Sequence, residues 1–261
     1  MEEKNYRVLR IEEQLYGCEE LPEGQPVLCD VLLEAADGTQ RVLPYPDAEL
    51  TRLDINEGST VTLRDHRLAK AAHKVYFTRH GETVWNVENK ICGMTDSPLT
   101  EKGRAQAREL GEKLRTSGLR IDEILYSPLS RAADTARAIA EATGIPARCE
   151  PRLREQCFGR YEGTPRDGEE FRISKTHFAD RYSGGESMMQ LAQRIYNLLD
   201  ELRADTDKTY LLVAHNGIAR VVQSYFYDMT NEEYAAAGIK NCEFVEFAVI
   251  PPCGNGTAGL W

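Results

Sequence analysis

From Val75 onward the chain alternates short apolar segments with longer amphipathic ones, a pattern that implies an α/β sandwich. Strands are expected at Val75–Thr78, Glu123–Tyr126, Ala147–Glu150, Tyr210–Ala214 and Phe244–Ile250. Helices are expected at Glu101–Thr116, Ser130–Ala142, Glu186–Ala204, Gly217–Tyr227 and Asn231–Ala237. Thr100-Glu101 opens the first helix and Ser117-Gly118 closes it. Leu191, Ile195, Leu198, Leu199 and Leu202 give the longest helix one apolar stripe.

The first 70 residues read differently. Residues 5–11 and 27–34 look like strands, Asp37-Gly38 signals a hairpin before Arg41-Val42-Leu43, and Glu57-Gly58 turns the chain into Thr60-Val61-Thr62-Leu63. Short strands with little helical periodicity suggest a small β-barrel or sandwich. His66 to Lys74 is polar and reads as a linker or short helix. Residues 1–70 hold 15 acidic and 8 basic side chains, so most of the net charge of −10 lies there. A division into a β-rich accessory domain, 1–70, and a second domain, 71–261, is therefore expected. The tail Pro251–Gly256 should be irregular.

An acidic chain is disfavoured as a non-specific binder of nucleic acid, which needs basic patches. No apolar run approaches the ~20 residues that span a bilayer. Met1-Glu2-Glu3-Lys4 is followed by no apolar stretch and does not read as a signal peptide. The seven cysteines include no C-x-x-C pair, so free thiols and a cytoplasmic location are expected. Nothing here fixes the oligomeric state.

Four separated segments carry candidate chemistry. The strand ending in Arg79-His80-Gly81-Glu82, with Trp85-Asn86 after it, sets an imidazole beside a guanidinium at a strand end, where α/β sheets place ligands. Ser127-Pro128-Leu129-Ser130-Arg131 puts an arginine in the first turn of a helix. Leu153-Arg154-Glu155 is followed by Phe158-Gly159-Arg160-Tyr161-Glu162-Gly163. Finally, Leu211–Ala214 ends on His215-Asn216-Gly217 and opens a helix whose amides favour an anion. Each signal alone is modest, since a lone buried histidine is usually structural. Two histidines that each end an apolar strand, with arginines available, point to an anion site, and the anion indicated is phosphate. There is no metal-ligand spacing, no Walker loop and no dinucleotide fingerprint, so no metal or other cofactor is implied.

Residues 75–250 resemble the histidine phosphatase superfamily, whose founding relatives are the cofactor-dependent phosphoglycerate mutases. The resemblance rests on Arg79–Asn86, Asp96-Ser97-Pro98-Leu99-Thr100 and the Ser-Pro-Leu-x-Arg-Ala-x-x-Thr-Ala match at 127–136. It implies a three-layer α/β/α sandwich for that part of the chain, and the small N-terminal β-domain read from residues 1–70 lies outside the resemblance. It makes His80 the nucleophile, with Arg79, Arg131 and His215 on the phosphoryl oxygens. Asn86 would add a hydrogen bond and Asn216 an amide contact. Glu155 would be the general acid and then the base, with Glu82 and Glu162 as competing acids. Ala214 stands where the family often has Ser or Thr.

Within the family, no long Arg- and Pro-rich insert follows Glu155, and Gly184-Gly185-Glu186-Ser187 resembles the phosphatase branch. A metal-independent phosphomonoesterase acting on a small phosphorylated metabolite is therefore expected, with no nucleic acid or membrane partner. Mutase-type phosphoryl transfer is the alternative. A regulatory or binding protein acting through residues 1–70 is a second one. Arg166–Tyr182 should cap the pocket, and Arg172 and Lys175, if helical, share a face there. They either meet a second anionic group or form a solvated surface.

Overall fold

The computed structural model describes residues 4–14, 26–35, 37–70, 74–205 and 208–248. They divide into two compact units, one ending at His73 and the other running from Lys74 to Ala248. The expected tail 251–256, and the thiols of Cys18 and Cys253, lie outside the described residues.

The first unit contains strands β1 (Lys4–Glu13), β2 (Leu28–Ala35), β3 (Gln40–Pro46), β4 (Thr60–Arg64) and β5 (Arg67–Lys70), with helix α1 (Asp47–Arg52) between β3 and β4. They form one antiparallel sheet in the order β3-β2-β1-β4-β5. β2 alternates half-buried and buried residues, the period-two pattern of a strand with one face in a core. Val8, Val31, Leu33, Leu43, Val61 and Leu68 meet Leu50 of α1 in one apolar cluster. Backbone pairing leaves the sheet open, yet the Tyr45 hydroxyl on β3 accepts the N–H of Leu68 on β5 at 3.2 Å. The two edge strands therefore meet, and the unit is a single curled sheet rather than a sandwich. β5 also corrects the reading of His66–Lys74 as a linker or short helix.

The second unit contains β6 (Lys74–Arg79), β7 (Glu123–Tyr126), β8 (Ala147–Cys149), β9 (Tyr210–Ala214) and β10 (Phe244–Ala248). Their order is β10-β6-β9-β7-β8, with β10 antiparallel and the rest parallel. The helices are α2 (Val84–Val87), α3 (Glu101–Thr116), α4 (Ser130–Thr143), α5 (Glu169–Ser174), α6 (Met188–Ala204), α7 (Asn216–Phe226) and α8 (Asn231–Ala236). α6 begins two residues later than expected because Ser187 is its cap, in a capping box with Gln190.

Alternation along the strands sorts the two cores. Val75, Phe77, Leu212 and Ala214 pack with Leu191, Ile195 and Leu198 of α6 and Ile218 and Val222 of α7. On the opposite face, Tyr76, Leu211 and Val213 pack with Leu110 and Leu114 of α3 and Ala132, Ala136 and Ile139 of α4. Burial on both faces explains why all five residues of β9 are apolar and buried. The result is the three-layer α/β/α sandwich, with the carboxyl ends of β6, β7 and β9 on one edge. No helix among the described residues is long and apolar enough to cross a membrane.

Candidate active site

Parallel pairing sets Arg79 opposite Ala214, so His80 and His215 are the first residues beyond two neighbouring strand ends. The His80 N–H donates to the Ala214 carbonyl at 3.0 Å, and the two rings stand 5.2 Å apart between centroids. His80 Nδ1 lies 2.7 Å from the Gly81 carbonyl oxygen. A carbonyl oxygen only accepts, so Nδ1 carries the proton and Nε2 keeps its lone pair. Both histidines are buried. Burial first, then the charge of Arg131, holds each well below its ordinary pKa of 6.5.

The loop that follows His80 is locked from behind. A Cβ on Gly81 would strike the Gly103 carbonyl of α3, so glycine permits that close approach. The Gly81 N–H donates to Thr135 Oγ1 at 3.1 Å, and that hydroxyl donates to the Arg131 carbonyl at 2.7 Å. Thr135 thus ties the loop of His80 to the first turn of α4.

Arg131 is 1% exposed. It donates to the Gly93 carbonyl at 2.7 Å, the Thr95 carbonyl at 3.1 Å and Asp96 Oδ1 at 3.2 Å, while its Nε is buried without a partner. Arg79 donates to the Ile239 carbonyl at 3.0 Å, and its Nε is likewise unpartnered. Burial, then repulsion from Arg166, pulls the Arg79 pKa down to about 10. His215 Nε2 lies 2.6 Å from Ser127 Oγ, and its Nδ1 is a third buried orphan. Buried polar atoms are rarely left unpaired. Three such atoms, on Arg79, Arg131 and His215, lie near His80 and are of the kind that can donate to an anion.

Glu155 is 5% exposed. Its Oε1 accepts the Gln156 N–H at 2.9 Å and its Oε2 the Gly217 N–H of α7 at 3.0 Å. Each oxygen retains a lone pair for a proton or water. Glu82 and Glu162, the competing acids, are engaged elsewhere. Glu82 accepts from Thr100 Oγ1 and pairs with Lys102 at the start of α3. Glu162 accepts the N–H groups of Gly93, Met94, Thr95 and Phe158.

Arg79, His80, Asn86, Glu155, Gly217 and Asn216 line a cleft of about 950 Å³, counted to its open mouth. Arg131 and His215 are not in that lining and are buried beside His80. The Asn86 side-chain carbonyl accepts from Thr83 N–H and Asn241 Nδ2. The Asn216 side-chain carbonyl accepts the Ile239 N–H at 2.9 Å, holding the segment whose carbonyl Arg79 also binds. The cap corrects one expectation. α5 turns Phe171 inward to Tyr161 and Tyr182, so Arg172, next on the helix, is exposed and outside the lining. Lys175 does line the cleft, with Nζ 4.5 Å from the Phe171 ring centroid. Arg166 lines it too, whereas His177 and Arg181 are exposed.

Three contributors had no signal in the residue pattern. Asn241 donates to the His80 carbonyl at 2.8 Å. Arg194 of α6 pairs with Glu186 at 2.8 Å and reaches the Glu155 carbonyl at 3.4 Å. Arg220 lines the cleft one turn beyond Gly217.

The family model for the Histidine phosphatase superfamily (branch 1) matches residues 75–251. The chain is 43% identical over 154 residues to "Probable phosphoglycerate mutase GpmB" of Enterobacter sp. (strain 638), covering 56% of this chain and 70% of that one. It is 34% identical over 193 residues to the protein of the same name from Yersinia pestis (strain Pestoides F), covering 70% and 89%. The mycobacterial glucosyl-3-phosphoglycerate phosphatase in complex with VO3 superposes with a TM-score of 0.59 at 30% identity, over 67% of this chain and 90% of that one.

Proposed function

This chain belongs to the histidine phosphatase superfamily, and on that premise we propose that it is a phosphomonoester hydrolase working through a phosphohistidine on His80. The observation that carries the reading is the 2.7 Å approach of His80 Nδ1 to the Gly81 carbonyl oxygen. A carbonyl oxygen only accepts, so this contact favours the proton on Nδ1 and leaves Nε2 with the lone pair a nucleophile needs.

In the first step Nε2 forms a bond to phosphorus while the ester P–O bond breaks, and protonated Glu155 gives its proton to the leaving oxygen. In the second, Glu155 takes a proton from water as the water oxygen attacks phosphorus and the N–P bond breaks. The donors of Arg79, Arg131 and His215 spread the charge of the three equatorial oxygens, where positioning and electrostatics supply most of the acceleration. Asn86 and Asn216 border the transferred group. The substrate in this reading is a small phosphorylated metabolite, and the location cytoplasmic.

The test is phosphate release from a phosphomonoester panel in the presence of EDTA, comparing the native chain with His80→Ala. Release that is lost in His80→Ala supports the reading, and so does acid-labile, alkali-stable phosphate trapped on the native chain. Release that persists in His80→Ala overturns it. The names of the two mutase-like relatives favour a second reading, phosphoryl transfer between positions of a phosphoglycerate. Turnover that appears only with a bisphosphoglycerate primer would establish that one instead.

A further inference from the structure

The cleft holds more positive charge than the transferred phosphoryl group requires. Arg79, Arg166, Lys175 and Arg220 line it, and Glu155 is the only carboxylate in the lining. Arg166 and Arg220 are each anchored through Nε, to the Lys90 carbonyl at 2.8 Å and the Ala237 carbonyl at 2.6 Å. Anchoring at Nε holds each guanidinium in the cleft wall and leaves its terminal nitrogens as further donors. Among the described residues, neither arginine nor Lys175 forms an ion pair. In a chain with 42 acidic and 32 basic residues, three unpaired cations around one cleft are a departure that asks for a ligand.

The cations also repel one another. The Lys175 pKa is pulled down to about 8, by crowding of its ammonium among protein atoms first and then by Arg220 and Arg166. The residue as a whole is exposed, so solvent screens part of that effect. Arg166 is lowered as well, by burial first and, among its neighbours, by Arg131 and Arg220. An anion between these groups removes that repulsion.

We propose that Arg166, Lys175 and Arg220 form a second anion subsite, which receives a carboxylate or phosphate carried on the leaving part of the substrate. The proposal rests on the hydrolase reading, because the seat of the transferred phosphoryl group beside His80 defines which side is the leaving side. Arg220 stands three residues beyond Gly217, on the same face of α7, and the Gly217 N–H holds Glu155. The subsite therefore lies on the helix face that also places the proton donor of the leaving oxygen. Phe171 and Tyr234 complete the lining nearby, and they suit a planar or apolar body between the two anionic ends.

The experiment compares kcat/KM at low ionic strength for phenyl phosphate, 4-carboxyphenyl phosphate, its neutral methyl ester and hydroquinone bisphosphate. The methyl ester separates charge from leaving-group acidity. The carboxylate and bisphosphate arms distinguish the two sources of the second anion. The native chain should favour at least one doubly anionic ester over the neutral methyl ester by about tenfold or more. Arg220→Gln, Arg166→Gln and Lys175→Gln should each shrink that ratio by several-fold. Lys175 is exposed, so its variant keeps the test valid if an arginine variant fails to fold. A ratio near one in the native chain, or a ratio that all three substitutions leave unchanged, overturns the subsite alone provided His80-dependent release from phenyl phosphate is seen. Absence of His80-dependent release from every ester overturns the hydrolase reading and the subsite together.

Discussion

His80 and His215 follow residues paired across neighbouring parallel strands, and their rings stand 5.2 Å apart. That register joins two segments 135 positions apart in the sequence without help from any loop. It also sets the start of α7 beside His80, since His215 is the residue before Asn216. The Gly217 N–H of that helix end is spent on Glu155. One strand pair and one helix start thus position His80, His215 and the Glu155 carboxyl group together.

The first prediction concerns stability against pH. Both histidines are held well below 6.5 in the folded chain, by burial first and then Arg131. In the unfolded chain each titrates near its ordinary value. Below about pH 6.5 the unfolded state therefore binds more protons, so stability is full above that pH and declines as pH falls. Thermal melts between pH 7.5 and 5.5 should show a falling Tm, with a shallower slope in His215→Asn. A native slope no steeper than that of the variant would sink the assignment.

Glu155→Gln should lower kcat by about 10²–10⁴-fold while phosphate or vanadate still binds. The loss in kcat/KM, which reports the step that expels the leaving oxygen and not the later attack of water, should be large for alkyl phosphates and small for 4-nitrophenyl phosphate, whose leaving oxygen needs no proton. An equal loss on both esters would remove Glu155 from the acid role.

The route from sequence to structure was clearest where residue type and period agree. Val75–Thr78 and Tyr210–Ala214 read as buried strands because covering on both faces demands uninterrupted apolar residues. Elements decided by partners were opaque. Of the four residues in β5 only Leu68 is buried, so its strand character comes from pairing with β4. α1 and α5 have six residues each, too few to display a helical period. Arg166 and Arg172 look alike in the sequence, yet Arg166 is held in the cleft wall by the Asn89 and Lys90 carbonyls, while the inward turn of Phe171 on α5 leaves Arg172 at the surface. Glu162 was opaque for another reason. Its partners are backbone N–H groups, which leave no mark on residue identity.

Gly217→Ala separates activity from stability. A Cβ there would strike the Glu155 carboxylate. Alanine is favoured over glycine within a helix by up to about 1 kcal/mol, so α7 itself should tolerate the change. The displaced carboxyl group should cost about 10²-fold in kcat, with a Tm within a few degrees of native. Near-native kcat in the folded variant would show that the position of Glu155 is not critical.

Glu162 supports Arg131 at one remove. Its carboxylate accepts four backbone N–H groups, three of them from Gly93, Met94 and Thr95. The carbonyls of Gly93 and Thr95 in turn accept from the Arg131 guanidinium. In Glu162→Gln the amide NH₂ would face N–H donors at one of the two oxygen positions, costing about 1–3 kcal/mol for the groups left unsatisfied. The 93–95 segment should shift and Arg131 should lose its aim. The expected signature is a rise of about tenfold in KM and in the inhibition constant for inorganic phosphate, with a smaller change in kcat. Arg131→Lys should show the same pattern more strongly, and the double variant should lose less than the sum of the two in free energy. A Tm loss with unchanged KM would mean that Glu162 stabilises the loop without positioning Arg131.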